Sequence, residues 1–125
     1  MLALLGACAM ASDATAPGLN GREPIDRLTV HRECQHDTEC RSVGIGLQAC
    51  GGPQAYLPWS TRSTDAKALQ LAVLRYSEQR RKQIEREGEA STCAMLADPG
   101  ARCERSAGAA SGRCVLLAGP GDALR

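Results

Sequence analysis

The chain has 125 residues, which is enough for one domain. The 15 Lys and Arg residues against 14 Asp and Glu residues leave a net charge of +1, which excludes a protein whose whole surface binds nucleic acid. With no Phe, one Trp and two Tyr, any hydrophobic core is small and aliphatic. The seven cysteines are the dominant feature of the composition.

The N-terminus is apolar and ends in a cysteine. Residues Leu5–Cys8, Leu-Gly-Ala-Cys, resemble the lipobox of bacterial lipoproteins, in which two small residues precede a cysteine that receives lipid. A signal peptide has a positive region and about 7–15 apolar residues, so we expect an upstream start codon, with 1–7 the remnant of the signal. The resemblance implies lipid on Cys8 and a location in the bacterial cell envelope facing the periplasm. Ala9 favours the outer membrane, and the alternative is a chance apolar run with a free or buried Cys8.

Residues from Ala9 to Pro24 are small and polar, without an apolar period. Such a composition buries too little surface to offset its ordering entropy, and it predicts a flexible, lipidated tether over 8–30. We expect a disulfide-rich domain over 31–118 and a frayed tail over 119–125. No other run approaches the roughly 18 apolar residues of a membrane-spanning helix, so the lipid is the expected membrane attachment.

The other six cysteines form two triplets around a cysteine-free centre. In an exported protein this pattern predicts a disulfide framework, but spacing does not determine the pairing. Each bridge adds ~2–4 kcal/mol in a domain of this size. We expect at least one bridge to join the triplets, because the central helix must be held at both ends. The cysteines are Cys34, Cys40, Cys50, Cys93, Cys103 and Cys114.

A metal site is the alternative for part of this set. His31, Cys34, His36 and Cys40 lie within ten positions and have the ligand types of a tetrahedral zinc site. Exported thiols oxidise readily, however, and disulfides are favoured over metal. We therefore expect no metal and no cofactor, with both histidines on the surface.

The first half of the domain is predicted to contain two extended segments. Cys40–Ile45 alternates loosely, which predicts a strand. The run Cys50-Gly-Gly-Pro53 predicts a turn. Ala55–Ser60 then forms an extended run, and Pro58 places it at a sheet edge or in an irregular segment.

A long helix is predicted from about Asp65 to Glu87, with Ser63-Thr64-Asp65 supplying the N-terminal cap and Gly88 ending it. An apolar stripe over its first half indicates packing against the core. Leu71 and Leu74 lie on the opposite side, so we expect this half to be packed from two directions and the half from Ser77 to be solvated. The stripe contains Ala66, Leu69, Ala72, Val73 and Tyr76.

After the helix, Thr92–Ala97 is apolar enough for a second strand, and Asp98–Gly100 is a turn signal. A loop of small residues then leads to a third strand at Arg113–Ala118. The predicted fold is a small disulfide-stapled α+β domain, with a short antiparallel sheet and one long helix.

The sequence lacks the components of a nucleophilic active site. It contains no Gly-x-Ser-x-Gly motif, and histidine bases are limited to His31 and His36. We expect a non-enzymatic protein whose binding surface combines a preorganised loop with the projecting end of the helix. The alternative for Trp59 is that the only tryptophan of the chain fills the core and does not belong to the binding surface. The candidate surface residues are Gly51, Gly52, Pro53, Tyr56, Trp59 and Arg80.

The run Ala-Cys-Gly-Gly-Pro-Gln-Ala-Tyr-Leu, followed by Ser-Thr-Asp and a helix, resembles small exported cysteine-rich bacterial proteins of unassigned role. The resemblance spans roughly Cys34 to Cys114 and implies a class without an activity. The resulting hypothesis is a monomeric envelope lipoprotein that binds or inhibits another envelope protein and does not bind nucleic acid. The alternative is a periplasmic metal-binding protein that uses the His31, Cys34, His36 and Cys40 cluster.

Overall fold

The computed structural model describes residues 21–117, and it confirms the small α+β class. Cys8 and the predicted segments 1–7 and 119–125 lie outside these residues. None of the helices in this part of the chain is both long and apolar enough to cross a membrane. The elements are helices α1 (Glu23–Leu28) and α2 (Ala66–Glu87), a 3₁₀ helix (Asp37–Glu39), and strands β1 (Glu33–Cys34), β2 (Cys40–Ile45), β3 (Ala55–Ser60), β4 (Ala101–Glu104) and β5 (Gly112–Leu116).

The strands form two small antiparallel sheets. Strands β2 and β3 pair from Cys40 opposite Ser60 to Ile45 opposite Ala55. Within residues 21–117, β3 has no second neighbour, so Pro58 lies in the edge strand that its missing N–H requires. The other sheet has the order β1-β5-β4. The predictions for Cys40–Ile45 and Ala55–Ser60 are confirmed.

The strand predicted at Thr92–Ala97 is wrong. Residues 89–100 contain no helix or strand, and the strand that follows α2 and pairs with β5 is instead Ala101–Glu104. The run Cys-Ala-Met-Leu-Ala contains no β-branched residue, so its apolar character was a weak indication of a strand. An apolar segment therefore lies outside both sheets.

Helix α2 begins and ends where the sequence predicts. The Asp65 side chain accepts a hydrogen bond from the Lys67 N–H at 2.9 Å, and Gly88 ends the helix in the left-handed conformation, with φ 59°. On the inner face Leu69 and Ala72 are buried. They pack in a core cluster with Ile25, Ile45 and Trp59.

The outer face of the first half of α2 differs from the prediction. Leu71 and Leu74 are 55% and 56% exposed, so the expected packing from two directions is wrong. Among the described residues, the core cluster contacts only the face that carries Leu69 and Ala72.

The predicted tether over 8–30 is wrong from residue 21 onward, where the chain packs on the domain. Helix α1 has Pro24 in its first turn, a position that suits proline because the first helical N–H groups have no partner. Ile25 is fully buried in the core cluster. The Thr64 hydroxyl donates to the Leu28 carbonyl at 2.6 Å and ties α1 to the start of α2. The domain therefore includes α1.

All three disulfides join the first cysteine triplet to the second, which confirms and extends the prediction of one such bridge. The pairs are Cys34–Cys103, Cys40–Cys114 and Cys50–Cys93. Cys34 and Cys114 have no exposed surface and form a second core cluster with Cys40. Cys50 and Cys93 are exposed. Two bridges thus contain buried cysteines, although Cys103 itself is half-buried, and the third lies at the surface.

Candidate functional site

The surface disulfide joins two loops that the core does not cover. Cys50 lies in the glycine turn between β2 and β3, where Gly51 and Gly52 have φ values of 94° and 81° that favour glycine. The turn is closed by the Gln48 N–H, which donates to the Gly52 carbonyl at 2.9 Å. Cys93 lies after α2 and has a φ of 59°. The bridge therefore fixes the chain after α2 to a turn that is itself closed.

The four residues after Cys93 project from the domain, and we call residues 94–97 the Met95 segment. The Met95 side chain is the most exposed large apolar group among the described residues, at 86%. Leu96 is 43% exposed. Together they present an apolar surface that nothing in residues 21–117 covers.

Two side chains of the domain hold the carbonyls on either side of Met95. Gln48 Nε2 donates to the Ala94 carbonyl at 3.2 Å, and the Tyr56 hydroxyl donates to the Leu96 carbonyl at 3.3 Å. Within residues 21–117, neither the N–H nor the carbonyl of Met95 itself takes part in a hydrogen bond. The side chain and both backbone groups of Met95 are therefore unpaired within this part of the chain.

Gln48 connects the segment to the glycine turn. Its Nε2 also donates to the Pro53 carbonyl at 2.8 Å, and its Oε1 accepts from the Ser91 hydroxyl at 3.2 Å. The same Ser91 hydroxyl accepts from the Cys93 N–H at 3.1 Å. One amide side chain thus links both loops that the surface disulfide joins.

Asp98 holds the C-terminal end of the Met95 segment. Its carboxylate accepts hydrogen bonds from the Ser42 hydroxyl of β2 and from the Gly100 N–H. These two donors, the hydroxyl first, lower the pKa of Asp98 below its ordinary value. The segment is therefore fixed at Cys93, at Asp98 and at two carbonyls between them.

Arg80 is not the exposed contact residue that the sequence predicts. It is 9% exposed, and its guanidinium donates to the Leu47 carbonyl at 3.3 Å and to Glu89 at 2.8 Å. A long cationic side chain in the solvated half of α2 can be buried here because a carbonyl and a carboxylate accept hydrogen bonds from its charged end. Glu89 also lines an open groove of about 340 Å³, together with Ala94 and Leu96.

Trp59 is the second predicted surface residue that the structure places inside. It is 8% exposed and belongs to the core cluster, which matches the alternative that the only tryptophan fills the core. Tyr56 is half-buried, and its hydroxyl faces the Met95 segment. Gly51 and Gly52 are exposed, and Pro53 is half-buried. The candidate surface thus moves from the turn and the helix to the Met95 segment beside them.

The structure does not assemble the alternative metal cluster. The sulfurs of Cys34, Cys40 and Cys114 lie within 4.8 Å of one another, but all three belong to disulfides. A thiolate ligand would require reduction of a buried bridge. Both His31 and His36 are exposed, as expected, and neither belongs to that group of sulfurs.

The sequence did not indicate the Met95 segment as a binding surface, because its apolar run was interpreted as a strand. The available signal was its position between a cysteine and the Asp-Pro-Gly turn. The donors Gln48 and Tyr56 come from far along the chain, and their spacing gives no indication that they hold this segment.

The chain was also compared with known proteins. No family model, no curated protein and no solved structure matches it.

Proposed function

We propose that the chain is a non-enzymatic, lipid-anchored protein of the bacterial cell envelope that faces the periplasm and binds a protein partner through the Met95 segment. The observation that carries this proposal is the Met95 side chain, 86% exposed on a segment held at both flanking carbonyls. An apolar group that stays exposed on a fixed backbone marks an interaction site more strongly than one on a loose loop.

The chemistry of the segment supports a protein partner. Methionine is enriched at protein interfaces, and its unbranched side chain adapts to pockets of different shape. Ordering a loop on binding costs free energy, and here the surface disulfide and the hydrogen bonds from Gln48 and Tyr56 have already ordered the segment. More of the contact energy is then available for affinity.

The disulfides support the proposed location. Three bridges in so small a domain are typical of proteins that fold in an oxidising compartment. The likeness of Leu5–Cys8 to a lipobox adds the membrane attachment. A lipid on Cys8 would leave residues 9–22 between the lipidated cysteine and the first helix of the domain, α1.

Substituting Met95→Asp tests the proposed binding surface. We expect the variant, expressed in the native envelope, to recover about tenfold less cross-linked protein partner than the wild type, or less still. The reason is that a carboxylate cannot enter an apolar pocket without losing its hydration. The measurement is quantitative mass spectrometry of partners that co-purify with the cross-linked protein.

Leu74→Asp is the matched control for this experiment. Leu74 is also an exposed apolar residue, at 56%, and it lies on α2 outside the proposed surface. The control is expected to retain the partners of the wild-type protein. Equal recovery of partners by wild type, Met95→Asp and Leu74→Asp would contradict the proposal.

A further inference from the structure

We infer that the Met95 segment binds in the substrate cleft of a serine peptidase with an apolar primary pocket, and that the protein inhibits the peptidase. The inference rests on the proposed function and names the class of its partner. It depends on three features of the segment: the side chain it offers, the backbone groups it leaves free and the way both ends are held.

The backbone of the Met95 segment leaves free the groups that a peptidase cleft pairs with. Such a cleft binds its ligand by adding it as a strand and by pairing with main-chain groups. The carbonyls of Ala94 and Leu96 point toward the domain, because they accept from Gln48 and Tyr56. The N–H and carbonyl of Met95 have no partner within residues 21–117 and are free to pair with the enzyme.

The side chains determine the type of pocket. The primary pocket of a serine peptidase reads one side chain next to the bond that is cleaved, and it is an apolar slot in one type and contains a carboxylate in another. Met95 is long, unbranched and uncharged, and all its neighbours within the segment are apolar. These residues favour an apolar slot and disfavour a pocket that binds Lys or Arg.

The attachment of both ends explains why the bond between Met95 and Leu96 would be a poor substrate. Attack by the enzyme's serine on the Met95 carbonyl forms an ester and releases the Leu96 amine. Met95 stays attached through the Cys50–Cys93 bridge, and Leu96 stays attached through Tyr56 and Asp98. The amine remains beside the ester and re-forms the peptide bond, which returns the serine hydroxyl before water can complete hydrolysis.

The test measures inhibition of chymotrypsin and of trypsin by the full oxidised chain in detergent, with small chromogenic peptides as substrates. We expect the wild-type protein to inhibit chymotrypsin at about micromolar concentration and trypsin at least tenfold less. Met95→Lys should reverse this preference, with a loss of about tenfold or more toward chymotrypsin and a corresponding gain toward trypsin. Leu74→Lys adds the same charge on α2 and should behave as the wild type.

Several outcomes would overturn the inference. One is the absence of inhibition by both wild type and Met95→Lys, with all three bridges verified by mass. Another is an unchanged preference in Met95→Lys, which would place the contact elsewhere. A third is rapid hydrolysis of the bond between Met95 and Leu96, seen as an increase in the mass of the chain by one water, together with loss of inhibition. If partner recovery in the envelope still depends on Met95, the proposed function stands without the peptidase; if it does not, both fail.

Discussion

Replacing Cys40 and Cys114 together with alanine is expected to lower the free energy of unfolding by about 3–5 kcal/mol. The bridge joins residues 74 positions apart, so its loss gives the unfolded chain much more conformational freedom. Both sulfurs are also buried, and removing them leaves a cavity between the two sheets. The measurement is urea unfolding followed by the fluorescence of Trp59, the only tryptophan in the chain.

The matched control replaces Cys50 and Cys93 with alanine. These cysteines are exposed and close a shorter loop, with a separation of 43 residues, so we expect a smaller loss of stability and the same core fluorescence. This variant should instead lose the fixed conformation of the Met95 segment and bind its partner more weakly. An equal loss of stability in the two double variants would contradict the division into interior and surface bridges.

The second large effect is expected at Ile25. Its side chain extends from α1 and is fully buried in the core cluster, and Ile25→Ala should lower the free energy of unfolding by about 2–4 kcal/mol. Val30 follows α1 and is 57% exposed, so Val30→Ala should change the free energy of unfolding by less than about 0.5 kcal/mol. Trp59 fluorescence in urea again reports the transition.

If Ile25→Ala and Val30→Ala have the same small effect, residues 21–30 do not pack on the domain, and the tether predicted from composition would extend to residue 30. A large effect confined to Ile25 supports α1 as part of the domain. The tether that connects the domain to a lipid on Cys8 is then shorter than the sequence predicts.

Local sequence signals predicted the elements whose determinants lie within the element itself. Helix α2 has a capping aspartate, an apolar stripe and a terminal glycine, and all three signals agree with the structure. Helix α1 was missed because it has six residues, with Ile25 its only fully buried side chain. The proline in its first turn was the available indication.

The candidate site was predictable only in part, because tertiary contacts determine it. The sequence indicated a rigid loop at the glycine turn, and the structure confirms that turn. Burial of Arg80 depends on the Leu47 carbonyl and on Glu89, two groups that sequence patterns do not connect to it. The exposure of Met95 likewise depends on the absence of any covering element within residues 21–117.

The most direct test of a lipid-anchored, disulfide-held binding protein is the intact mass of the protein extracted from the membranes of the native envelope, measured with and without reduction and alkylation. We expect a chain that begins at Cys8 and carries acyl groups, with six alkylated cysteines after reduction and none before it. An unlipidated chain, or thiols at Cys34 and Cys40 that react before reduction, would contradict the proposed lipid-anchored, disulfide-held protein.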